Sequence, residues 1–488
     1  MQHNLYGLDI DRRAYQLAYF AVMMKARQYN RSIIKSGEVQ PNLANFADVM
    51  GVDTGLISGK LREFAEQFTY ADTYGSLMEI AAPSGLDEAV SEFNVSFGMS
   101  RKQLDMMMIY KILSQKYDVV CTNPPYMGGS NMNVNLSEFV KKNFADYKSD
   151  LFSAFVVRCT QLAKPVGYTG FLTPYVWMFI QSYEKMRSYI YNSRTIETLI
   201  QFEYSAFEEA TVPICTFVLK NSYVRKNGCY FRLTDFRGGM EVQRQKTLEA
   251  IADHKCGFYY EANSANFSKI PGMPVAYWVS ENFVRAFERG ISIDDISDFT
   301  GSQHITANND KYLRFHWEVD NDDVGVGKKW VYYAKGGDFR KWYGNIELVV
   351  NWSEGAIQFY RTNSTSNLLA GRYRFKEGIT YTELTSSINT FRYLPPVCIF
   401  DKKGPSIISV KKLWYCLGIF GTKIAPLYFA ILNPTLSTQV RDVKNFPIIV
   451  ESEIEPQIDE IVKENVGFCK DDWDSFETSW DFERHPLV

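Results

Sequence analysis

Four consecutive residues, Asn123-Pro124-Pro125-Tyr126, carry the strongest chemical signal in this 488-residue chain. The Asn123 side-chain oxygen and the Pro124 carbonyl can act as a fixed pair of acceptors. Proline holds φ near about −65° and donates no N–H, so that carbonyl is held in place. Such a pair suits an exocyclic amine conjugated to a ring, which is a poor nucleophile. Two acceptors aimed at its N–H bonds pull it toward tetrahedral geometry and free the lone pair. Acceptors already in position need not reorient at the transition state. Tyr126 offers a flat face for the ring, a contact of ~1–3 kcal/mol. In isolation the tetrapeptide could be a stiff turn, since Asn before Pro favours turns. Its context argues otherwise: an apolar run, Tyr117-Asp118-Val119-Val120-Cys121-Thr122, precedes it, and Gly128 and Gly129 follow. Ligands of α/β sheets bind at the carboxyl ends of strands.

The elements around it must place the tetrapeptide. Residues 5–11 read as a short strand ending in two acids, with Asp11 able to cap a helix whose Ala14, Leu17, Ala18, Ala21, Val22 and Met24 keep a 3.6-residue spacing. A second strand is expected over 41–49 and a helix over 100–116. The run 117–122 reads as a buried-type strand. Helices over 150–163 and 183–191 then alternate with strands at 170–174, 196–202 and 213–220. This order predicts a parallel, doubly wound α/β sheet to about residue 220. Beyond the polar junction at 221–228, helices become rare and aromatic, β-like runs dominate. The predicted organisation is an α/β domain at 1–225, a mixed α+β domain at 226–450 and an acidic segment at 451–488.

The formal net charge of −3 conceals this division. Residues 451–488 hold 12 acids and 3 bases, a net of −9, so the rest of the chain carries +6. Between 328 and 376 there are 9 bases, 3 acids and 11 aromatics. The 8 cysteines include no C-x-x-C pair, which argues reduced thiols, no zinc site and a cytoplasmic setting. The longest uncharged run, 165–183, contains Pro, Gly, Thr, Gln and Ser and makes a poor membrane span.

A strand ending in Asn-Pro-Pro-Tyr resembles the amino-methyltransferases that use S-adenosyl-L-methionine. Among them are DNA N6-adenine methyltransferases, a glutamine methyltransferase of release factors and some RNA guanine methyltransferases. In the DNA enzymes the adenine is flipped out of the duplex. The resemblance gives Asn123, Pro124, Pro125 and Tyr126 the catalytic role. It gives Asp9, in Gly7-Leu8-Asp9-Ile10-Asp11, the ribose hydroxyls of the cofactor. An acid beside the cofactor adenine is either Asp48 or Asp72. Phe207, before Val212-Pro213-Ile214-Cys215, would stack on the flipped base. The family's Gly-rich first motif has no place before Asp9, so the resemblance implies a sheet incomplete at its N-terminal side. A fragment, or one piece of a split enzyme whose separate chain carries that motif, is expected.

Longer strings resemble the PglX-like adenine methyltransferases of BREX phage-resistance systems. They include Asn4-Leu5-Tyr6-Gly7-Leu8-Asp9-Ile10-Asp11, Gly337-Asp338-Phe339-Arg340-Lys341-Trp342-Tyr343-Gly344-Asn345 and Trp473-Asp474-Ser475-Phe476-Glu477-Thr478-Ser479-Trp480. By this resemblance the chain has a Rossmann-like methyltransferase sheet followed by a target-recognition domain. The implied partners are double-stranded DNA and other BREX components. Lys328, Lys329, Lys335, Arg340, Lys341, Arg372 and Arg374 would contact the DNA, since basic groups hold phosphates and set register. Two rival readings stand beside this one. The first is an inactive module that only binds DNA. The second is a protein or RNA amino-methyltransferase, against which the large aromatic-basic second half argues.

Overall fold

A computed structural model of the chain describes residues 1, 3–36, 39–49, 59–97, 99–204, 206, 212–299, 303–385, 388–433, 437–485 and 487. The chain forms two compact units, Met1–Ser264 and Ala265–Val488.

In the first unit, strand β1 (Tyr6–Asp9) runs into helix α1 (Arg12–Tyr29). Asp11 starts the helix by accepting from the N–H groups of Arg13 (2.7 Å) and Ala14 (3.0 Å). These bonds, that of Ala14 first, hold its carboxyl below the ordinary value. Strand β2 (Asn42–Asn45) pairs in parallel with β1 and sets Asp9 opposite Asn45. The strand expected over 41–49 stops at 45 because Asn45 Oδ1 accepts from the Ala47 N–H at 2.8 Å and turns the chain. The following 3-10 turn, Phe46–Val49, buries Phe46 and Val49. Helix α2 (Arg101–Ser114) opens with a capping box between Ser100 and Gln103.

Strand β3 (Tyr117–Thr122), helices α3 (Val134–Asn143) and α4 (Leu151–Leu162), and strands β4 (Ala163–Pro174), β5 (Thr195–Gln201), β6 (Ile214–Lys220), β7 (Gly228–Arg232) and β8 (Tyr259–Ala262) follow. The six strands form one sheet in the order β3-β4-β6-β5-β7-β8. The sheet is mixed rather than parallel. β3 pairs in parallel with β4, and β5 with β7, but β6 is antiparallel to both its neighbours. β6 follows β5 in the chain and lies directly beside it, an arrangement that an antiparallel return makes without a crossover. The polar run at 221–227 is a loop between two strands of this same sheet. The compact unit therefore extends to residue 264, past the junction expected near 225.

Strand β3 differs from the buried-type strand expected. It is an edge strand with one partner among the described residues, so Val119 stays 63% exposed. Helix α1 likewise buries none of its residues, and Leu17 and Phe20 are 68% and 61% exposed. Helix α4 is the reverse, with ten buried residues including Arg158. The Arg158 guanidinium donates to the carbonyls of Ser76 (3.1 Å) and Met78 (2.6 Å) and pairs with Glu79 (3.1 Å). It thereby fastens the 76–79 segment to the helix.

The second unit holds strands β9 (Leu313–Phe315), β10 (Trp330–Ala334), β11 (Leu348–Asn351), β12 (Gly378–Tyr381), β13 (Phe391–Leu394), β14 (Cys398–Phe400) and β15 (Ser406–Ile408). One four-stranded sheet has the order β9-β11-β10-β14, and a second joins the short strand Asp298–Phe299 to β15, β12 and β13. Helices α5 (Leu413–Gly421) and α6 (Glu455–Asp474) pack together, and Gly418 leaves room for Val462 and Ile458. The acidic segment is thus largely a folded helix with Val462, Val466 and Trp473 buried. Among the described residues no single helix is long and apolar enough to cross a membrane.

His304 lies fully buried among Tyr333, Trp352 and Tyr360, and neither ring nitrogen has a hydrogen-bond partner among the described residues. Burial, then the charge of Arg374, pushes its pKa down to about 3. The folded state therefore resists a proton that the unfolded chain accepts near pH 6.5. This contribution to stability is whole above about pH 6.5 and is lost as the pH falls toward 3. The melting temperature of the second unit should fall between pH 7 and pH 5, and His304→Phe should flatten that slope. An unchanged slope in the variant would remove His304 as its source.

Candidate active site

Asn123 is the first residue beyond β3, and the chain leaves the sheet edge through Pro124, which is buried, and Pro125, which is exposed. The Tyr126 hydroxyl lies 3.1 Å from Asn123 Oδ1 and 3.3 Å from the Leu172 carbonyl of β4, and its single proton serves one of them at a time. The phenol thus sits across the carboxyl ends of β3 and β4. Burial raises its pKa, with a smaller push from Cys215. Among the described residues no donor reaches the Pro124 carbonyl. Asn123 Oδ1 thus keeps acceptor capacity, and the Pro124 carbonyl is unengaged among the described residues.

Asp150 holds this loop. Its Oδ1 accepts from the Met127 N–H (3.0 Å) and, as cap of α4, from the Phe152 N–H (3.2 Å). The Leu151 N–H donates back to the Met127 carbonyl at 3.0 Å, and the Gly129 N–H to Ser149 at 3.2 Å. Burial raises the Asp150 pKa, and the backbone donors pull it back. The neighbouring wall comes from β4 and β6. Thr173 Oγ1 lies 3.7 Å from the Cys215 sulfur, whose thiol burial pushes up to about 12. Tyr175, just after β4, donates its N–H to the Pro213 carbonyl at 2.9 Å. Its phenol is raised by burial, then by Tyr204, Cys215 and Glu203.

Asp150, the Leu172 carbonyl and Tyr175 were not anticipated from the sequence. Tyr175 had a readable signal, because it follows the end of β4 as Asn123 follows β3. Asp150 had half of one: it was legible as a helix cap, but not as the anchor of a loop 23 residues upstream.

Asp9 ends β1, where its Oδ1 accepts from the Asp11 N–H at 2.8 Å. Asp48 lies one short turn beyond β2 and pairs with Arg12 at 3.7 Å, so both acids lie at one end of the β1–β2 pair. Asp72 lies on the short helix Ala71–Tyr74 and accepts from Thr73 Oγ1 at 3.3 Å. That helix leads to Gly75, whose φ of +52° lets it approach Ile10, the residue after Asp9. Phe207 lies outside the described residues.

In the second unit the bases separate into two sets. Arg340 pairs with Asp472 (3.2 Å) and stacks over Trp473, and Arg374 donates to the Leu369 carbonyl (2.7 Å) beside Trp352. These two are engaged internally. Lys328, Lys329, Lys341 and Arg372 are exposed and Lys335 partly so, although Lys341 donates to the Gly421 carbonyl at 3.2 Å.

Residues 3–207 match the family model described as Eco57I restriction-modification methylase. The whole chain aligns with the adenine-specific methyltransferase PglX of Lacticaseibacillus casei (strain Zhang) at 31% identity and with BrxX of Escherichia coli O9:H4 (strain HS) at 30%. The chain resembles the PglX-type adenine-specific methyltransferases along its entire length. It spans 44% of the length of each of these two relatives. Among solved structures, the Type IIL restriction-modification enzyme MmeI, in complex with DNA, superposes with a TM-score of 0.55 at 10% identity, over 98% of this chain and 66% of that one. At that identity the likeness concerns the fold.

Removing the Asp150 carboxylate leaves two N–H groups without their acceptor. Asp150→Ala should cost about 1–2 kcal/mol in urea unfolding of the first unit. Asp150→Asn, which keeps an oxygen in that position, should lose clearly less. Equal losses would show that the acceptor oxygen is not what matters.

Proposed function

We propose that the chain is the core of a site-specific DNA N6-adenine methyltransferase of BREX type, with S-adenosyl-L-methionine as methyl donor. The observation that carries this reading is the Asn-Pro-Pro-Tyr loop at the end of β3, with Tyr126 braced between Asn123 and Leu172. In this reading Asn123 Oδ1 and the Pro124 carbonyl accept the two N–H bonds of a flipped adenine N6, and Tyr126, with Phe207, stacks on its ring. Asp9 fits the ribose of the cofactor, because one carboxylate oxygen is bound to the Asp11 N–H and Oδ2 takes no bond among the described residues. Asp48 or Asp72 lies near the cofactor adenine. When bound, the cofactor supplies an electrophilic methyl on a sulfonium: the N6–C bond forms as the C–S bond breaks, and N6 then gives up one proton to water.

The same reading makes the sheet one strand short. Among the described residues β1 pairs only with β2, and β3 only with β4. Tyr6 and Tyr117, the first residues of β1 and β3, meet edge to face at 5.3 Å. The exposed Val119 and the unburied face of α1 suit a parallel strand with its following Gly-rich loop, supplied by further sequence or by a separate chain. In the second unit, Lys328, Lys329, Lys335, Lys341 and Arg372 are proposed as the basic residues of target recognition, whereas Arg340 and Arg374 are held within the unit by Asp472 and the Leu369 carbonyl; other BREX proteins are proposed as further partners. The unpaired edges also favour a second reading, a module that binds duplex DNA without binding cofactor.

Methyl transfer to duplex DNA should appear when the chain is combined with a polypeptide supplying that strand and loop. Asn123→Ala should then lower the rate at least about a hundredfold. Adenine methylation that persists in this variant would sink the assignment. In calorimetric titration of the same complex with S-adenosyl-L-methionine, Asp9→Ala should weaken binding. Failure of the unsubstituted complex to bind the cofactor would favour the second reading.

A further inference from the structure

Three strands of the first unit end along one edge of its sheet. β3 is parallel to β4, and β6 is antiparallel to both β4 and β5, so the carboxyl ends of β3, β4 and β5 share that edge with the start of β6. Asn123 follows β3, Tyr175 follows β4, and the buried Glu203 and exposed Tyr204 follow β5. Pro174 pairs with Ile214 and Gln201 with Cys215, so Tyr175 and Glu203 flank the start of β6. Ligands of α/β sheets bind at the carboxyl ends of the strands. The tetrapeptide loop uses one end of this edge, and from β4 it engages the Leu172 carbonyl.

The backbone of Tyr175 is held from two sides. Its N–H donates to the Pro213 carbonyl at 2.9 Å, which ties the end of β4 to the residue before β6. It also opens the 3-10 turn Tyr175–Met178, in which Trp177 and Met178 are fully buried. Arg187, itself fully buried, fastens that turn by donating to the carbonyls of Trp177 (2.6 Å) and Ile180 (2.8 Å). The Phe179 ring meets the Tyr175 ring edge to face at 6.2 Å. None of this bracing uses the phenol oxygen. The hydroxyl of the half-buried Tyr175 makes no hydrogen bond among the described residues, and it is not sealed from solvent. Burial, then Tyr204, Cys215 and Glu203, keeps its proton in place at neutral pH. Cys215 also acts on the Tyr126 phenol, so the two tyrosines stand around one buried thiol. A tyrosine at least partly buried ordinarily bonds its hydroxyl to something, and for packing alone a phenylalanine would serve as well.

We propose that the Tyr175 hydroxyl donates to a ring nitrogen of the flipped adenine, N1 or N7, and so fixes how the base is turned within its own plane. The proposal rests on the reading of this site as that of an adenine methyltransferase and deepens it. Acceptors at N6 hold one corner of the ring, and stacking on Tyr126 holds its plane. A donor on the next strand holds a second corner. Adenine carries an acceptor, N1 or N7, on each side of its amine, so a neutral O–H is the group that matches. A base held at two corners keeps its N6 lone pair on the line of attack, which is where orientation contributes to rate.

Methyl transfer by the complex of this chain with the polypeptide supplying the further strand and loop tests this. The substrate is one long mixed-sequence duplex with its adenines intact, or replaced throughout by 1-deazaadenine or by 7-deazaadenine. Tyr175→Phe, which removes the hydroxyl alone, should lower kcat on adenine about tenfold. The KM for duplex should change little, because phosphate contacts dominate that affinity. On the analogue that lacks the contacted nitrogen the substitution should have no effect, and on the other it should cost the same factor as on adenine. The melting temperature should hold, since the hydroxyl bonds nothing within the fold. An unchanged kcat on adenine, or equal losses on all three duplexes, would overturn the contact while leaving the methyltransferase reading intact. No turnover of the adenine duplex by the unsubstituted complex would overturn that reading and the contact with it.

Discussion

One carboxylate holds the candidate active site together. Asp150 accepts from Met127 on one side and caps α4 on the other. The loop that carries Asn123 and Tyr126 is thereby fixed to the most completely buried helix of the first unit. Two prolines stiffen the loop at its start, but stiffness alone does not aim it. The aim comes from β3 pairing with β4 in parallel, which brings the Leu172 carbonyl within reach of the Tyr126 hydroxyl. Cap, strand pairing and phenol therefore form one unit. The same helix carries Arg158 to the 76–79 segment, so α4 fixes both the tetrapeptide loop and the stretch that leads back to Ile10.

Much of this was legible in the residues. Asn-Pro-Pro-Tyr after an apolar run, Asp11 as a cap and Ser100 as a cap are local signals, and local signals depend on a few neighbouring atoms. What was not legible depends on distant partners. Strand β3 reads as buried because Val119, Val120 and Cys121 are apolar, yet whether a strand lies beside it depends on the whole sheet. The antiparallel placement of β6 depends on which neighbour it chooses, and Ile214–Lys220 looks the same in either direction. The polar loop at 221–227 looked like a linker, but β7 continues the same sheet, and the compact unit ends only at residue 264. The bond from Met127 to Asp150 spans a helix and a turn, and no periodicity marks it.

Composition was a poorer guide to the second unit. Residues 328–376 count as strongly basic, but a base is available to a partner only if nothing inside the fold already holds it. Arg340 is held by Asp472 and Trp473, and Arg374 by the Leu369 carbonyl and the face of Trp352. Aromatic residues interleaved with bases can signal a nucleic-acid surface, and they can equally signal a β core. Tyr333, Tyr360 and Trp352 around His304 belong to the core.

The acidic segment completes this account. Its charge of −9 looked separable from the +6 of the rest, as if a tail had been appended. Helix α6 instead buries its apolar side against α5 and lends Asp472 and Glu455 to Arg340 and Lys412. Those acids neutralise bases of the same unit, so the positive charge open to a partner is smaller than the count and differently placed. Lys402 stays in solvent, and among the described residues Arg392 bonds only to neutral oxygens. The distribution that matters for binding is what folding leaves uncompensated: in the second unit Lys328, Lys329, Arg372 and Lys402 are exposed, while Arg340, Arg374 and Lys412 are held internally.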